Sequence, residues 1–120
     1  KKKILKYQVD KKLFFKNLVD KINGSKIILF CAGSYSKIIL KNLIRLGVKT
    51  NFVIDNNIDY SGQTIDKIII LNPKFLEKNL YEFINYKFLI CHRNKLIFDK
   101  IRRQLNKIGF KKINIIHVSI

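Results

Sequence analysis

The chain alternates between short runs of apolar residues and longer segments in which apolar residues recur every three or four positions. The short runs predict β-strands that are buried on both faces, and the periodic segments predict amphipathic α-helices. The predicted strands lie at 26–31, 52–54, 68–71, 88–91 and 113–118. The predicted helices lie at 7–22, 38–46, 74–85 and 96–108.

Strands that alternate with helices predict a mostly parallel sheet, because each connection crosses one face of the sheet in a right-handed sense. We therefore predict a Rossmann-like, three-layer α/β/α fold with five strands. One helix precedes the first strand, with Leu13, Phe14, Leu18 and Ile22 as its apolar stripe. We accordingly divide the chain into an N-terminal helix (1–24) and a Rossmann-like domain (25–120).

Sheets of this kind bind ligands beyond the carboxyl ends of their strands. The residues after the first predicted strand read C-A-G-S-Y-S over 31–36, where a dinucleotide-binding loop reads G-x-G-x-x-G. Only the middle glycine, Gly33, is present, and it is the one that lets a phosphate approach the helix N-terminus. Gly33, Ser34, Tyr35 and Ser36 are predicted ligand contacts. The alternative is a strand-to-helix turn that needs one glycine and binds nothing.

Two further segments reach the same edge of the predicted sheet. Asp55 ends the second strand 22 residues after Gly33, where related folds place a carboxylate that accepts hydrogen bonds from ribose hydroxyls. Asp55 is predicted to contact a nucleoside, with Asn56 beside it in the same candidate site, and the alternative is a turn or cap at the strand end. His92 and Arg93 follow the fourth strand and are predicted to contact the ligand.

The sequence offers no catalytic pair or metal cluster. Cys91 and His92 are consecutive on a strand, so their side chains point to opposite faces and cannot easily form a nucleophile–base pair. Cys31 and Cys91 are 60 residues apart, and no second cysteine or histidine stands at metal-ligand spacing around Cys31. We therefore predict no catalytic residue and no metal. Two scattered cysteines favour a reduced, cytoplasmic location.

The charge balance raises the question of a polyanionic partner. The 25 Lys and Arg residues against 8 Asp and Glu give a net charge of +17, a value typical of nucleic-acid and anionic-membrane binders. The chain, however, has 22 Ile, 21 Lys and 12 Asn but four Arg, as expected from an AT-rich genome. Its basic residues are spread evenly, without arginine clusters or interleaved aromatic residues, which disfavours both partners.

Residues 26–120 resemble a known family. The segments KIILFCAGSYSKIILKNLIRLGVKTNFVIDNN and SGQTIDKIIILNPKFL are similar to the Rossmann-like domain of bacterial surface-polysaccharide enzymes. In that family, the domain forms the N-terminal part of sialic-acid and bacillosamine acetyltransferases. It also occurs alone or fused to glycosyltransferases and sugar methyltransferases. Its pattern is G-A-G-x-x-G-K, then F-I-D-D/N, then G-K-T-I-x-G-I-P-V-L. The matching residues are Gly33, Lys37, Asp55, Gly62, Thr64 and Ile65, and the departures are Cys31, Ser36 and 66–69.

The resemblance implies a ligand and a pathway. In the acetyltransferases this domain holds a UDP-amino-sugar, while a separate β-helix domain binds acetyl-CoA and supplies the catalytic histidine. We therefore expect a nucleotide-sugar-binding or accessory domain, with a UDP- or CDP-sugar as ligand, a fused or docked transferase as partner, and no complete active site on these residues. The alternative is a scaffold with a vestigial site that docks a glycosyltransferase or self-associates, with the helix over 7–22 as its docking element.

Overall fold

Strands and helices alternate along the chain in the predicted order. The computed structural model describes residues 2–119, and the side chains from Asp10 to Ser119. The strands are β1 (Ile27–Phe30), β2 (Thr50–Ile54), β3 (Thr64–Ile65), β4 (Ile68–Leu71), β5 (Lys87–Cys91) and β6 (Ile115–Val118). The helices are α1 (Lys2–Ile22), α2 (Ser34–Arg45), α3 (Lys74–Lys78), α4 (Leu80–Phe83) and α5 (Lys95–Ile108).

The strands form one sheet in the order β3-β4-β2-β1-β5-β6. Strands β4, β2, β1, β5 and β6 are parallel to their neighbours, and β3 pairs with β4 in the antiparallel direction. Without β3, this order is that of the Rossmann-like fold, in which the first strand lies at the centre and the chain extends the sheet first to one side and then to the other. The predicted fold class is therefore correct in its architecture.

The predicted count of five strands is wrong, because the described sheet has six. The additional strand, β3, has two residues and forms a hairpin with β4. The two turn residues, Asp66 and Lys67, have φ angles of 47° and 68°. A two-residue hairpin turn with both φ angles positive usually contains glycine, so the Asp-Lys pair gave no recognisable turn signal.

The sheet is covered on both faces. One face packs against α1 and α2, and the core there includes Leu29 and Leu89 of the sheet and Leu40 of α2. The other face packs against α3, α4 and α5 and includes Phe30 and Phe88. Every residue of β1 is buried, as a central strand between two helical layers requires.

Helix α1 differs from the prediction in its start and in its buried face. It begins at Lys2 rather than at residue 7. Phe15, Leu18 and Ile22 belong to the hydrophobic core, whereas the side chain of Leu13 is 53% exposed. Phe14 packs at the margin of that core. The helix therefore contributes directly to the core beneath α2.

Two other segments depart from the predicted elements. The helix over 74–85 is divided into α3 and α4 at Asn79, whose side-chain amide donates to the Phe75 carbonyl oxygen. The last strand begins at Ile115 rather than at 113, because Lys112–Asn114 form a 3₁₀ turn. Within residues 2–119, no helix has both the length and the apolar character needed to cross a membrane.

Candidate functional site

The three loops predicted to form the site meet at the carboxyl edge of the sheet. Strand β1 lies between β2 and β5, with Phe30 opposite Ile54 on one side and Ile90 on the other. The loops after these strands are therefore neighbours, and the Cys31 N–H donates to the Ile54 carbonyl oxygen at 2.8 Å. Because the chain extends the sheet in opposite directions from β1, this edge is the switch point where such folds bind ligands.

Cys31 stands where a dinucleotide-binding loop has its first glycine. Its φ angle is 85°, in the left-handed region that glycine adopts without strain and a residue with a Cβ does not. The loop therefore keeps the backbone conformation of the glycine although the side chain has changed. Lys67, in the turn between β3 and β4, has a φ angle of 68° and lies in the same region.

Gly33 forms the N-cap of α2. Its φ angle of −78° is accessible to any residue, and a Cβ built at this position would meet no atom within 4 Å. As glycine, the N-cap residue has no side chain that could accept from the N–H groups of the first turn of α2. The N–H groups of a first helical turn have no partner within the helix and carry the positive end of the helix dipole. Gly33 thus leaves open space in front of a surface that attracts anions.

Arg93 lies beside the same helical turn. Its guanidinium carbon is 4.8 Å from the centre of the Tyr35 ring, and this stacking joins the loop after β5 to the start of α2. Arg93 and Ser34 are exposed and Tyr35 is partly buried. The structure therefore brings Gly33, Ser34, Tyr35 and Arg93 together, as the sequence predicted. It places a fixed positive charge near the helix N-terminus.

Ser36 has a packing role. Its side chain is 1% exposed, and its hydroxyl donates to the Cys91 carbonyl oxygen at 3.5 Å. The third glycine of a dinucleotide-binding loop allows close packing of the helix on the sheet, and Ser36 occupies that place. It connects α2 to the end of β5, so we do not propose a ligand contact for it.

Asp55 joins the loops after β1 and β2. One carboxylate oxygen accepts the N–H of Ala32 and the other accepts the N–H of Asn57, each at 2.7 Å. Asp55 therefore stabilises the turn after β2, as the alternative to a nucleoside contact predicted. A carboxylate has about four lone-pair positions, so these two bonds leave acceptor capacity for the hydroxyl groups of a ligand.

A cleft of about 440 Å³ opens between these loops and α5. Asn56 forms a reciprocal amide pair with Gln104 across it, at 3.0 and 2.8 Å. Lys100, one turn earlier on α5, also lines the cleft, together with Asp55 and Cys31. Lys100 and Gln104 were not among the residues predicted to form the site. Their spacing of four residues placed them on one face of the helix, but nothing in the sequence related that face to the loop after β2.

The two thiols are held in the protonated form. Burial raises the pKa of Cys31 from 9.0 to about 12, and the Asp55 carboxylate adds to this shift. Burial also raises the pKa of Cys91, with a further contribution from Cys31. The thiolate is the nucleophilic form of cysteine, so neither residue is suited to nucleophilic catalysis at neutral pH.

The two histidines are engaged in structural bonds. The Nδ1 atom of His92 accepts the Asn94 N–H at 3.0 Å. His117 donates from Nε2 to the His92 carbonyl oxygen at 2.7 Å and stacks on Phe98 with ring centres 4.3 Å apart. His92 therefore helps to shape the loop beside Arg93. Across the described part of the chain, no group of three His, Cys, Asp or Glu residues is arranged to hold a metal.

Known structures share this architecture. The UDP-D-quinovosamine 4-dehydrogenase of Vibrio fischeri superposes with a TM-score of 0.61 at 21% identity, covering 78% of this chain and 77% of that one. A perosamine N-acetyltransferase of Caulobacter crescentus, solved with CoA and GDP-perosamine, gives 0.55 at 14% identity over 72% of this chain. The Rex-family repressor RSP gives 0.58 at 12% identity over 91% of this chain.

These similarities concern the fold. The chain spans 40% of the length of the acetyltransferase and 60% of that of the repressor. The sequence itself matches no protein-family model and no curated protein. Sugar-modifying enzymes and a repressor that has been solved with NADH are among the proteins with this architecture. The chain therefore has a Rossmann-like fold of the kind that occurs in nucleotide-binding proteins.

Proposed function

We propose that the carboxyl edge of the sheet binds a nucleotide-sugar, such as a UDP- or CDP-sugar. The phosphates would lie at the N-terminus of α2 beside Arg93, and the ribose hydroxyls would donate to Asp55. The chain would serve as the nucleotide-sugar-binding or accessory domain of a bacterial surface-polysaccharide enzyme, with a fused or docked glycosyltransferase or acetyltransferase as partner.

The observation that carries this proposal is the open space at Gly33. Neither the backbone angles nor the packing of the protein requires glycine there. A phosphate at a helix N-terminus does require close approach to the backbone, which a side chain would obstruct. The positive end of the α2 helix dipole and the Arg93 guanidinium provide the positive potential for this phosphate. Two of the proteins with this fold act on UDP- and GDP-linked sugars, which supports the choice of ligand.

The test is a thermal-shift panel of UDP-, CDP- and GDP-sugars, NADH, NADPH and S-adenosylmethionine. Salt at about 150 mM screens unspecific attraction to the basic surface. We expect a selective shift with one nucleotide-sugar, and its loss in Gly33→Val and in Arg93→Gln. Asn51→Val is the control, since Asn51 is exposed near the opposite end of β2. Asn51→Val should retain the melting temperature of the free protein, whereas Gly33→Val should lower it slightly, since valine is a weaker N-cap than glycine. The shift caused by a ligand is therefore measured against the melting temperature of each variant without ligand.

Three outcomes would contradict the proposal. A shift that survives in Gly33→Val would place the ligand elsewhere. A shift with NADH alone would replace the nucleotide-sugar by a dinucleotide at the same edge. No shift with any compound would favour the scaffold alternative, in which the site no longer binds.

A further inference from the structure

A second concave surface lies away from the carboxyl edge, between α1 and α2. This α1–α2 groove has a volume of about 960 Å³. Its apolar lining consists of Leu13, Phe15, Val19 and Leu46. Leu13, on α1, and Leu46, directly after the last residue of α2, are each 53% exposed. A continuous apolar surface of this kind on a protein usually marks an interaction site.

The rim of the α1–α2 groove is basic. Lys11, Lys12, Lys16 and Arg45 line it, against one carboxylate, that of Asp20. The ion pair found among the described side chains is that of Arg102 with Asp99, on α5. Among the described side chains, no cation at the groove forms an ion pair with a carboxylate. An occupant would have to offer apolar side chains to the floor and negative charge to the rim.

We propose that the α1–α2 groove docks an amphipathic, acidic helix of a partner protein. Grooves between helices bind such helices through apolar residues at i, i+3, i+4 and i+7. The apolar stripe of the partner would lie along Leu13, Val19 and Leu46. Its Asp and Glu residues would face the lysines and Arg45, which adds specificity and speeds association. The proposal is independent of ligand binding at the carboxyl edge.

Charge excludes a second copy of this chain as the occupant. The protein carries +17, with 8 acidic residues distributed over its length, so it has no acidic amphipathic helix to offer. A second copy would bring like charges to an already basic rim, which is unfavourable. The apolar floor likewise disfavours nucleic acid, whose outer surface is a row of phosphates. An acidic helix meets both requirements of the groove.

The test uses a designed, fluorescein-labelled peptide of about 18 residues, with leucine at helical spacing and glutamate on the polar face. Binding to the full chain is followed by fluorescence anisotropy at about 150 mM salt. We expect saturable binding that weakens about tenfold or more in Leu13→Glu and in Leu46→Glu, since each places an unpaired charge on the apolar floor. Ile113→Glu changes the charge equally at a residue that is 84% exposed outside the groove, and it should bind as the native chain does.

Two control peptides test the two requirements of the groove, and three further measurements test the other occupants and the folding of the variants. A scrambled peptide of the same composition has no apolar stripe, and a peptide with lysine in place of glutamate has the wrong charge; neither should bind. Equal binding of the scrambled peptide, or unchanged affinity in both leucine variants, would overturn the proposal. Binding to phosphatidylglycerol vesicles, or a dimer in sedimentation equilibrium, would overturn it in favour of a membrane or a second copy if the same variants abolished it. Circular dichroism checks that the variants are folded.

Discussion

Cys31 holds a backbone conformation that costs a residue with a side chain about 1–3 kcal/mol. Glycine relieves that cost, so we expect Cys31→Gly to be more stable than Cys31→Ala by about 1 kcal/mol, the reverse of the usual ranking. The free energy of unfolding, measured with urea, gives the comparison. Ala32→Gly is the control at the next residue, whose φ angle is not positive, and it should lower stability. If Cys31→Gly were less stable than Cys31→Ala, the backbone at residue 31 would not be strained.

The buried thiols make stability depend on alkaline pH. Folding raises the pKa of Cys31 to about 12 and also raises that of Cys91, so the folded protein keeps two protons that the unfolded chain releases above pH 9. The stabilisation is complete below pH 9 and falls as the pH rises toward 12. Between pH 8 and pH 10 the native chain should lose about 2–3 kcal/mol more than a Cys31→Ala/Cys91→Ala variant. Equal losses in urea unfolding would show that the thiols ionise freely.

Asp55 contributes to the structure as well as to the proposed site. Its two bonds to the N–H groups of Ala32 and Asn57 fix the loops after β1 and β2. Asp55→Asn keeps one acceptor oxygen and should lower the free energy of unfolding by about 1–2 kcal/mol. Asp59→Asn, at an exposed neighbour, should change it by less than about 0.5 kcal/mol. Similar effects of the two substitutions would contradict the structural role of Asp55. Because Asp55→Asn changes stability, Gly33 is the better position for testing ligand binding.

The position of a residue in the site could be predicted from the sequence where the residue lies at the end of a strand. Gly33 and Asp55 stand directly after apolar runs, and the ends of adjacent parallel strands meet at one edge. The buried direction of Ser36 and the stacking of Arg93 on Tyr35 were not predictable, because both depend on how α2 sits on β5. Only packing in three dimensions determines that.

At the scale of elements, the sequence predicted the strands with long apolar runs and the helices with periodic apolar residues. It did not predict the shortest strand or the break within a helix. Strand β3 has two residues, too few for a pattern, and it pairs through a turn without glycine. The break between α3 and α4 lies at Asn79, inside a stretch whose apolar spacing continues through it. At Asn79, a hydrogen bond from the side chain to the Phe75 carbonyl oxygen accompanies a break in the helix that the apolar spacing does not show.

Helix α1 provides a matched pair of identical substitutions. Leu18 is 4% exposed within the core and Leu13 is 53% exposed at the α1–α2 groove. Leu18→Ala should lower the free energy of unfolding by about 2–4 kcal/mol, since it leaves a cavity. Leu13→Ala should change it by about 0.5 kcal/mol or less. Urea unfolding measures both changes in free energy. Equal changes would mean that the face of α1 with Leu18 is not the one that packs in the core.

For the whole molecule, the charge of +17 with a single ion pair among the described side chains implies strong self-repulsion. Salt screens repulsion between surface charges. Raising sodium chloride from about 20 to about 300 mM at pH 7 should therefore increase the melting temperature by several degrees, as followed by circular dichroism. A lower melting temperature in salt would mean that attractive pairs outweigh the repulsion.

Because of the φ angle of Cys31, few substitutions are needed to give this loop the sequence of a dinucleotide-binding loop. The loop already has the backbone that the first glycine of the G-x-G-x-x-G pattern provides, and Gly33 is in place. Two substitutions, Cys31→Gly and Ser36→Gly, would rewrite the sequence of this loop as that pattern without rebuilding its fold. The second costs about 1 kcal/mol as a glycine within a helix. The chain is thus a ready starting scaffold for the design of a compact dinucleotide-binding domain.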